Sequence, residues 1–542
     1  MTTLIPKYDQ GSSNAVNRPI NQKLLESVSV MDFGAVGNGT TDDTTAIQNA
    51  ISSGATAIYF PTGNYLISST INLGSTGGIT LYGSGQNSKL VKNTQFHFFS
   101  LLGGVSSPTA FANNVEIFGL QFYSSVWDKL NFCLYARTAT QISFHNNLVI
   151  NCSGLQTDVN FNVSGPDKIG TTLAIAGFNS LTYLNSNIKF SNNTVYSVFG
   201  DTTQIDWVYA VQIKYATNIV ISNNNCKNAN IVWWGGNAST SDGAIGNTRY
   251  LNGMSITGNY VYGGQSCIWG SMADGFSITG NTVEQSSDSG IDPEGSFNGS
   301  ITGNVSKNNA NFNYSTFALT RNVVFEGNTS VINSQYNWSG YTKEHFSFRN
   351  TDTSAGTSLS FIGNTCETVG TLAYADYQIF QSVIFKNNTF INCTLIGNSL
   401  SPNSGGAVEF TDNFFVFDYV IANYQSQNAV WLGITDTPAN GGSTIARNQI
   451  RSRVSQTSGA GRGLWVNCVT STNLQVIQVE DNIIDNFYTG IVLAGTINNS
   501  MAIYMILRNN IISLCTTTIN NSLPSGSVLT SSGNINQSGS SA

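Results

Sequence analysis

Ile278-Thr279-Gly280-Asn281-Thr282-Val283 has close copies at Ile256-Thr257-Gly258-Asn259, Ile301-Thr302-Gly303-Asn304 and Phe325-Glu326-Gly327-Asn328. Thirteen asparagines mark the repeat: Asn147, Asn193, Asn224, Asn259, Asn281, Asn304, Asn328, Asn364, Asn388, Asn413, Asn448, Asn482 and Asn510, most of them 22 to 36 residues apart. Such a period with insertions of variable length predicts a solenoid of directly stacked coils. In each copy the Ile points inward and the Thr outward. The Gly or Asn beside the key asparagine tolerates the left-handed backbone of a sharp corner. Alternating apolar residues then resume, so strand, corner and strand make one coil of a parallel β-helix. Asparagines stacked about 4.8 Å apart form a side-chain ladder that satisfies the corner's backbone groups. A leucine-rich repeat would need regular leucines and a helix per repeat, and the chain has neither.

Composition agrees with a long, weakly charged, β-rich solenoid: 53 Gly, 9 Pro, 9% charged and 40% hydrophobic residues in 542. The net charge of −7 and the lack of a basic stripe argue against nucleic acid. No apolar run spans a membrane and no signal peptide begins the chain, so synthesis in a reducing cytoplasm is expected. Cys226 and Cys366 each lie two residues after a corner asparagine, and Cys152 and Cys393 each lie five after one. These repeating slots read as free core thiols. With no CxxC pair and only His97, His145 and His345, no metal or other cofactor is expected. Asn-X-Thr sequons at Asn192 and Asn387 read as corner residues rather than glycan acceptors.

At the other end of the fold, Thr41 or Asp42 is placed to cap a short helix with Ala46, Ile47, Ala50 and Ile51 on its apolar face, plugging the solenoid's open end. Ala57-Ile58-Tyr59-Phe60-Pro61-Thr62-Gly63-Asn64-Tyr65-Leu66-Ile67 then starts the coils. The run from Asp32-Phe33-Gly34-Ala35 through Asp42-Asp43-Thr44 to Ala46-Ile47-Gln48, followed by Tyr59-Phe60-Pro61, resembles the start of the pectate-lyase-like superfamily, especially bacteriophage tailspike depolymerases. The resemblance covers roughly residues 28–515 and implies an all-β, right-handed parallel β-helix. It also implies a homotrimer carried on a phage virion. Residues 1–30 read as a neck that joins the phage tail or an adaptor protein, 31–515 as the catalytic β-helix, and 516–542 as a polar tail.

In so lightly charged a chain, one acidic stretch stands out: Glu284, Asp288, Asp292 and Glu294. With Ile291 and Pro293 inward, alternation puts Asp292 and Glu294 outward on one strand, roughly 7 Å apart. That is the spacing of an inverting glycosidase, in which one acid protonates the leaving oxygen and the other activates water. Repulsion raises one pKa and keeps a general acid protonated. Either residue is open to the acid role, and Asp288 is the third candidate. Gly290-Ile291-Asp292-Pro293-Glu294 also resembles the Gly-Ile-Asp-x-Glu stretch of related phage tailspikes.

Trp233 and Trp269 are expected in the same outward column as Asp292, with Trp234 beside them, as flat faces for pyranose rings. Insertions carrying Asp206 and Trp207 upstream, and Tyr336, Trp338 and residues 341–345 downstream, add candidate sugar subsites, with Glu284 as a further ligand. Glu326, Arg321, Arg349 and Asp352 are weaker candidates. The leading reading is hydrolysis of a bacterial surface polysaccharide, capsule or O-antigen. A polysaccharide lyase needs a base beside a uronate, and the acidic coil itself contains no basic group. A non-catalytic adhesin would use the same aromatics, while a deacetylase would need a Ser/His/Asp set.

Overall fold

The computed structural model describes residues 6–24, 26–74, 77–102, 112–158, 184–198, 207–236, 249–336, 343–349, 357–378, 380–399, 407–421, 427–435, 442–456, 461–470, 475–497 and 503–537. The chain divides into two units, residues 1–235 with 250–264, and residues 236–249 with 265–542. Each is built of parallel β-helix coils.

A coil of the second unit shows the construction. Ala273–Thr279 runs to the corner, Gly280 turns it, Asn281 fills it, and a short strand Thr282–Glu284 follows. After a second turn Ser289–Glu294 completes the circuit, and Phe297–Thr302 begins the next coil. Successive coils pair in parallel register, Ile278 beside Ile301 and Ile301 beside Phe325, and all three of these side chains are buried. The first unit repeats the plan with Ala216–Ser222, Asn225–Lys227 and Ala229–Trp234.

The residue before each ladder asparagine has positive φ, from 51° at Asn509 to 65° at Gly258 along the thirteen rungs. Glycine or asparagine fills most of these places because either adopts that conformation with little strain. Within each unit the ladder asparagines donate backbone N–H and Nδ2 to the Oδ1 of the next, as Asn147 does to Asn193 and Asn193 to Asn224 in the first. Asn304 reaches Asn328 at 2.9 and 3.0 Å, and Asn328 reaches Asn364 at 2.8 and 2.9 Å. The second unit has one rung more than the repeat indicated, since Asn510 donates to Asn534.

All eight cysteines are free and buried. The N-terminal helix spans Thr44–Ser52 and buries Ile47 and Ala50. Its cap differs from expectation. Asp42 accepts from the Thr44 N–H, while Asp43 at the cap position turns its carboxylate to the N–H groups of Val36 and Gly37. No helix among the described residues is long and apolar enough to cross a membrane. The solenoid also outruns the expected boundary at 515: Thr517–Ser522, Val528–Ser532 and Ile535–Gln537 all pair with preceding strands. Most residues of these three strands are not buried, in keeping with their polar composition.

Candidate active site

Asp292 and Glu294 leave the same strand, Ser289–Glu294, on its outer side. Alternation holds from Ile291 to Glu294, as the sequence led one to expect, and breaks just before that stretch. Gly290 and Ile291 are two consecutive inward residues: a Cβ on Gly290 would lie 2.2 Å from Ser306 Oγ and 2.6 Å from Asn309 Nδ2, inside the coil. The same doubling recurs one coil on, where Asn313 bonds Ser330 and Tyr314 bonds the Asn304 carbonyl. It recurs again at His345 and Phe346, both fully buried. This doubling, kept in register from coil to coil, decides which face the residues that follow it take.

Asp292 is only 5% exposed, and its Oδ1 has no hydrogen-bond partner among the described residues. Burial pushes its pKa well above the ordinary carboxylate value. The charges of Glu294 and Asp288 add to the rise, and the hydroxyls of Ser315 and Ser289 oppose it. Those two hydroxyls meet each other at 3.1 Å. Glu294 is partly exposed, and burial followed by the Asp288 charge raises its pKa to about 7. Asp288 sits in the preceding turn, accepting from Asn311 Nδ2 at 2.6 Å and Ser266 Oγ at 3.4 Å. The three carboxyl groups therefore form one electrostatic cluster. Glu284 lies on the strand before the turn, in register with Lys307.

Trp269 is in lateral register with Asp292 and half-buried, as the column reading requires. Trp233 is not outward: it pairs with Ile213 in the core and is fully buried, so Trp234 is the partly exposed member of the pair. A one-residue offset in strand register exchanges the faces. Trp207, in the first unit, is 5% exposed, packed edge-on to Tyr209 and covered by Lys129 Nζ at 3.4 Å. That packing accounts for its ring without a sugar. Tyr336 is exposed, while Trp338, Asp206 and Asp352 fall outside the described residues. His345 faces the interior, bonded to Ser330 and Thr368 at 2.7 Å each, with its pKa pushed down to about 3 by burial, so it is no sugar ligand.

Arg249 and Asp376, not singled out in the sequence, also reach this region, beside the weaker candidate Arg321 and Glu344 of the downstream insertion. Arg249, 5% exposed, donates Nε to the Gly295 carbonyl at 2.7 Å and stacks 3.8 Å over Phe297, with Arg321 5.1 Å from the same ring. A basic group therefore does adjoin the acidic coil. Farther along the face, buried Glu344 accepts from the Tyr374 hydroxyl, and Asp376 accepts from Ser347 at 2.5 Å and Gln378 at 3.0 Å. Insertions of different length between coils hid these neighbours from residue counting. No cluster of metal-ligating side chains occurs among the described residues.

Residues 27–231 match the family model described as rhamnogalacturonase A/epimerase, pectate lyase-like. The tail spike protein of Shigella phage Sf6 is 35% identical over 85 residues, 14% of this chain and 13% of that protein. The pre-neck appendage protein of Bacillus phage B103 is 38% identical over 79 residues, 14% of this chain and 9% of that protein. These matches thus span only a small part of either curated relative. Among solved structures, the A-module of mannuronan C-5 epimerase AlgE4 from Azotobacter vinelandii is 14% identical with a TM-score of 0.48, covering 69% of this chain and 99% of its own. The chain therefore folds as a parallel β-helix, its residues 27–231 match a pectate-lyase-like family model, and a bacteriophage tail spike protein is among its sequence relatives.

Proposed function

We propose that this protein is a phage tail spike that binds a bacterial surface polysaccharide, capsule or O-antigen, and hydrolyses a glycosidic bond within it. The supporting observation is the pair Asp292 and Glu294, outward on one strand, with the buried Asp292 carrying an unpartnered oxygen. Side chains two residues apart on one strand face stand about 7 Å apart, inside the range of about 6.5–9.5 Å that leaves room for a water and favours inversion. Asp292, held protonated by burial, is the general acid. Glu294, half-ionised near pH 7, is the base that draws a proton from the attacking water. The glycosidic oxygen takes the Asp292 proton as its bond to the anomeric carbon breaks, and water supplies the new bond. Trp269 offers a ring face to the sugar beside the acid. The same reading includes a homotrimer attached to the tail or an adaptor through its N-terminus, with no nucleic acid or cofactor involved.

The test is incubation of the purified protein with a panel of capsules and O-antigens, reading reducing ends and chain length. One glycan should shorten with wild type. Asp292→Asn and Glu294→Gln should each lower the rate by about a hundredfold or more while still retaining the polymer. Retention without shortening by wild type would leave a non-catalytic adhesin. The Arg249 guanidinium beside Gly295 favours one second reading, a lyase whose cation neutralises a uronate. Absorbance from a new C=C bond in the product would identify it.

A further inference from the structure

The outward row that holds Asp292 does not end with the acidic cluster. Ser315 pairs with Ser347, Ser347 with Asp376, Asp376 with Ile396, and Ile396 with Trp431. Trp431 is in turn in register with Trp465. The flanking Val430, Leu432, Leu464 and Val466 are fully buried, so the two tryptophans face out, and each is partly exposed. Arg462 lies 4.6 Å from the Trp465 ring centroid.

Two partly exposed indoles one coil apart, with a guanidinium at the edge of one, suit one class of ligand. It must present an apolar C–H face together with hydroxyl acceptors. We propose that Trp431 and Trp465 form a second glycan-binding platform, remote from the carboxylates and on the same track. Asp292 and Trp431 are five coil steps apart, about 24 Å at about 4.8 Å per step. The platform therefore grips a part of the polymer distant from the stretch held beside Asp292. This rests on the proposed polysaccharide ligand, but not on hydrolysis.

The experiment uses Asp292→Asn as the background, so that bound polymer is not consumed, and an array of purified capsules and O-antigens as the probe. The array should retain the background protein on at least one glycan. Adding Trp431→Ala or Trp465→Ala should weaken that retention by about tenfold. Trp431→Phe should recover part of it, with thermal melting unchanged in all three. In the catalytic protein the same alanine variants should raise KM for polymer and leave kcat on short oligosaccharides alone. Unchanged retention in both alanine variants, or a chain that holds no glycan, overturns the proposal. Glycan that is retained through the tryptophans but never shortened by wild type would sink the hydrolase reading and leave the platform standing.

Discussion

At the residue scale, the two carboxyl groups make the site readable by pH. Glu294 titrates at about 7 in the folded chain against an ordinary 4.5, so folding binds a proton there. A raised acid stabilises the fold fully below its unfolded pKa and loses that contribution as pH rises through the folded one. Stability should fall between about pH 4.5 and 7, and Glu294→Gln should flatten that slope in denaturant melts taken across the range. Activity runs the other way at first. The rate should climb as Glu294 ionises and decline at higher pH as Asp292 loses its proton. Because the Asp288 charge raises Glu294, Asp288→Asn should move the climbing limb to lower pH. A limb that stays put would remove Asp288 from the electrostatic cluster. Much of this was legible in the sequence: four acids in eleven residues of a chain only 9% charged identified the coil. The face of Trp233 was not. Trp269 lies ten residues after its ladder asparagine, as Trp234 does, whereas Trp233 lies nine after. Val232 and Trp233 are both fully buried, and this breaks the two-residue alternation on which the column was aligned.

At the scale of the element, the corner is the unit of stability. Asn328 Oδ1 accepts from both the N–H and Nδ2 of Asn304, while its own Nδ2 reaches the Ile301 carbonyl and Asn364. Replacing it with Ala strands two buried donors, each worth about 1–3 kcal/mol. Asn328→Ala should therefore destabilise the chain by about 3 kcal/mol by chemical denaturation, whereas a change at exposed Val369 should be near neutral. An equal effect at both positions would mean that the ladder is incidental. The rungs themselves could be read from the repeat, because a corner that accepts only a narrow set of residues leaves a strong pattern. Arg249, Ser315 and Asp376 could not, since insertions between rungs carry no such constraint.

Across the whole molecule, eight buried thiols are a reporter of integrity. Burial pushes Cys267 up to about 12 and also raises Cys366, Cys393 and Cys468, keeping them as unreactive thiols. Native protein should resist a thiol-selective reagent at neutral pH, and all eight cysteines should react once it is unfolded. Rapid labelling of the native chain would contradict the packing described here. The repeating slots of Cys226 and Cys366 had already indicated a core location.

The ladder also has a polarity. In the second unit each rung from Asn281 on gives its two donors to the asparagine that comes later in the chain, as Asn281 does to Asn304 and Asn482 to Asn510. A chain emerging from the ribosome N-terminus first would thus always present a growing face with one rung's donors waiting for an acceptor not yet synthesised. The ladder thus always ends in donors, never acceptors, on its C-terminal side, and Asn534 is the last acceptor of the described structure.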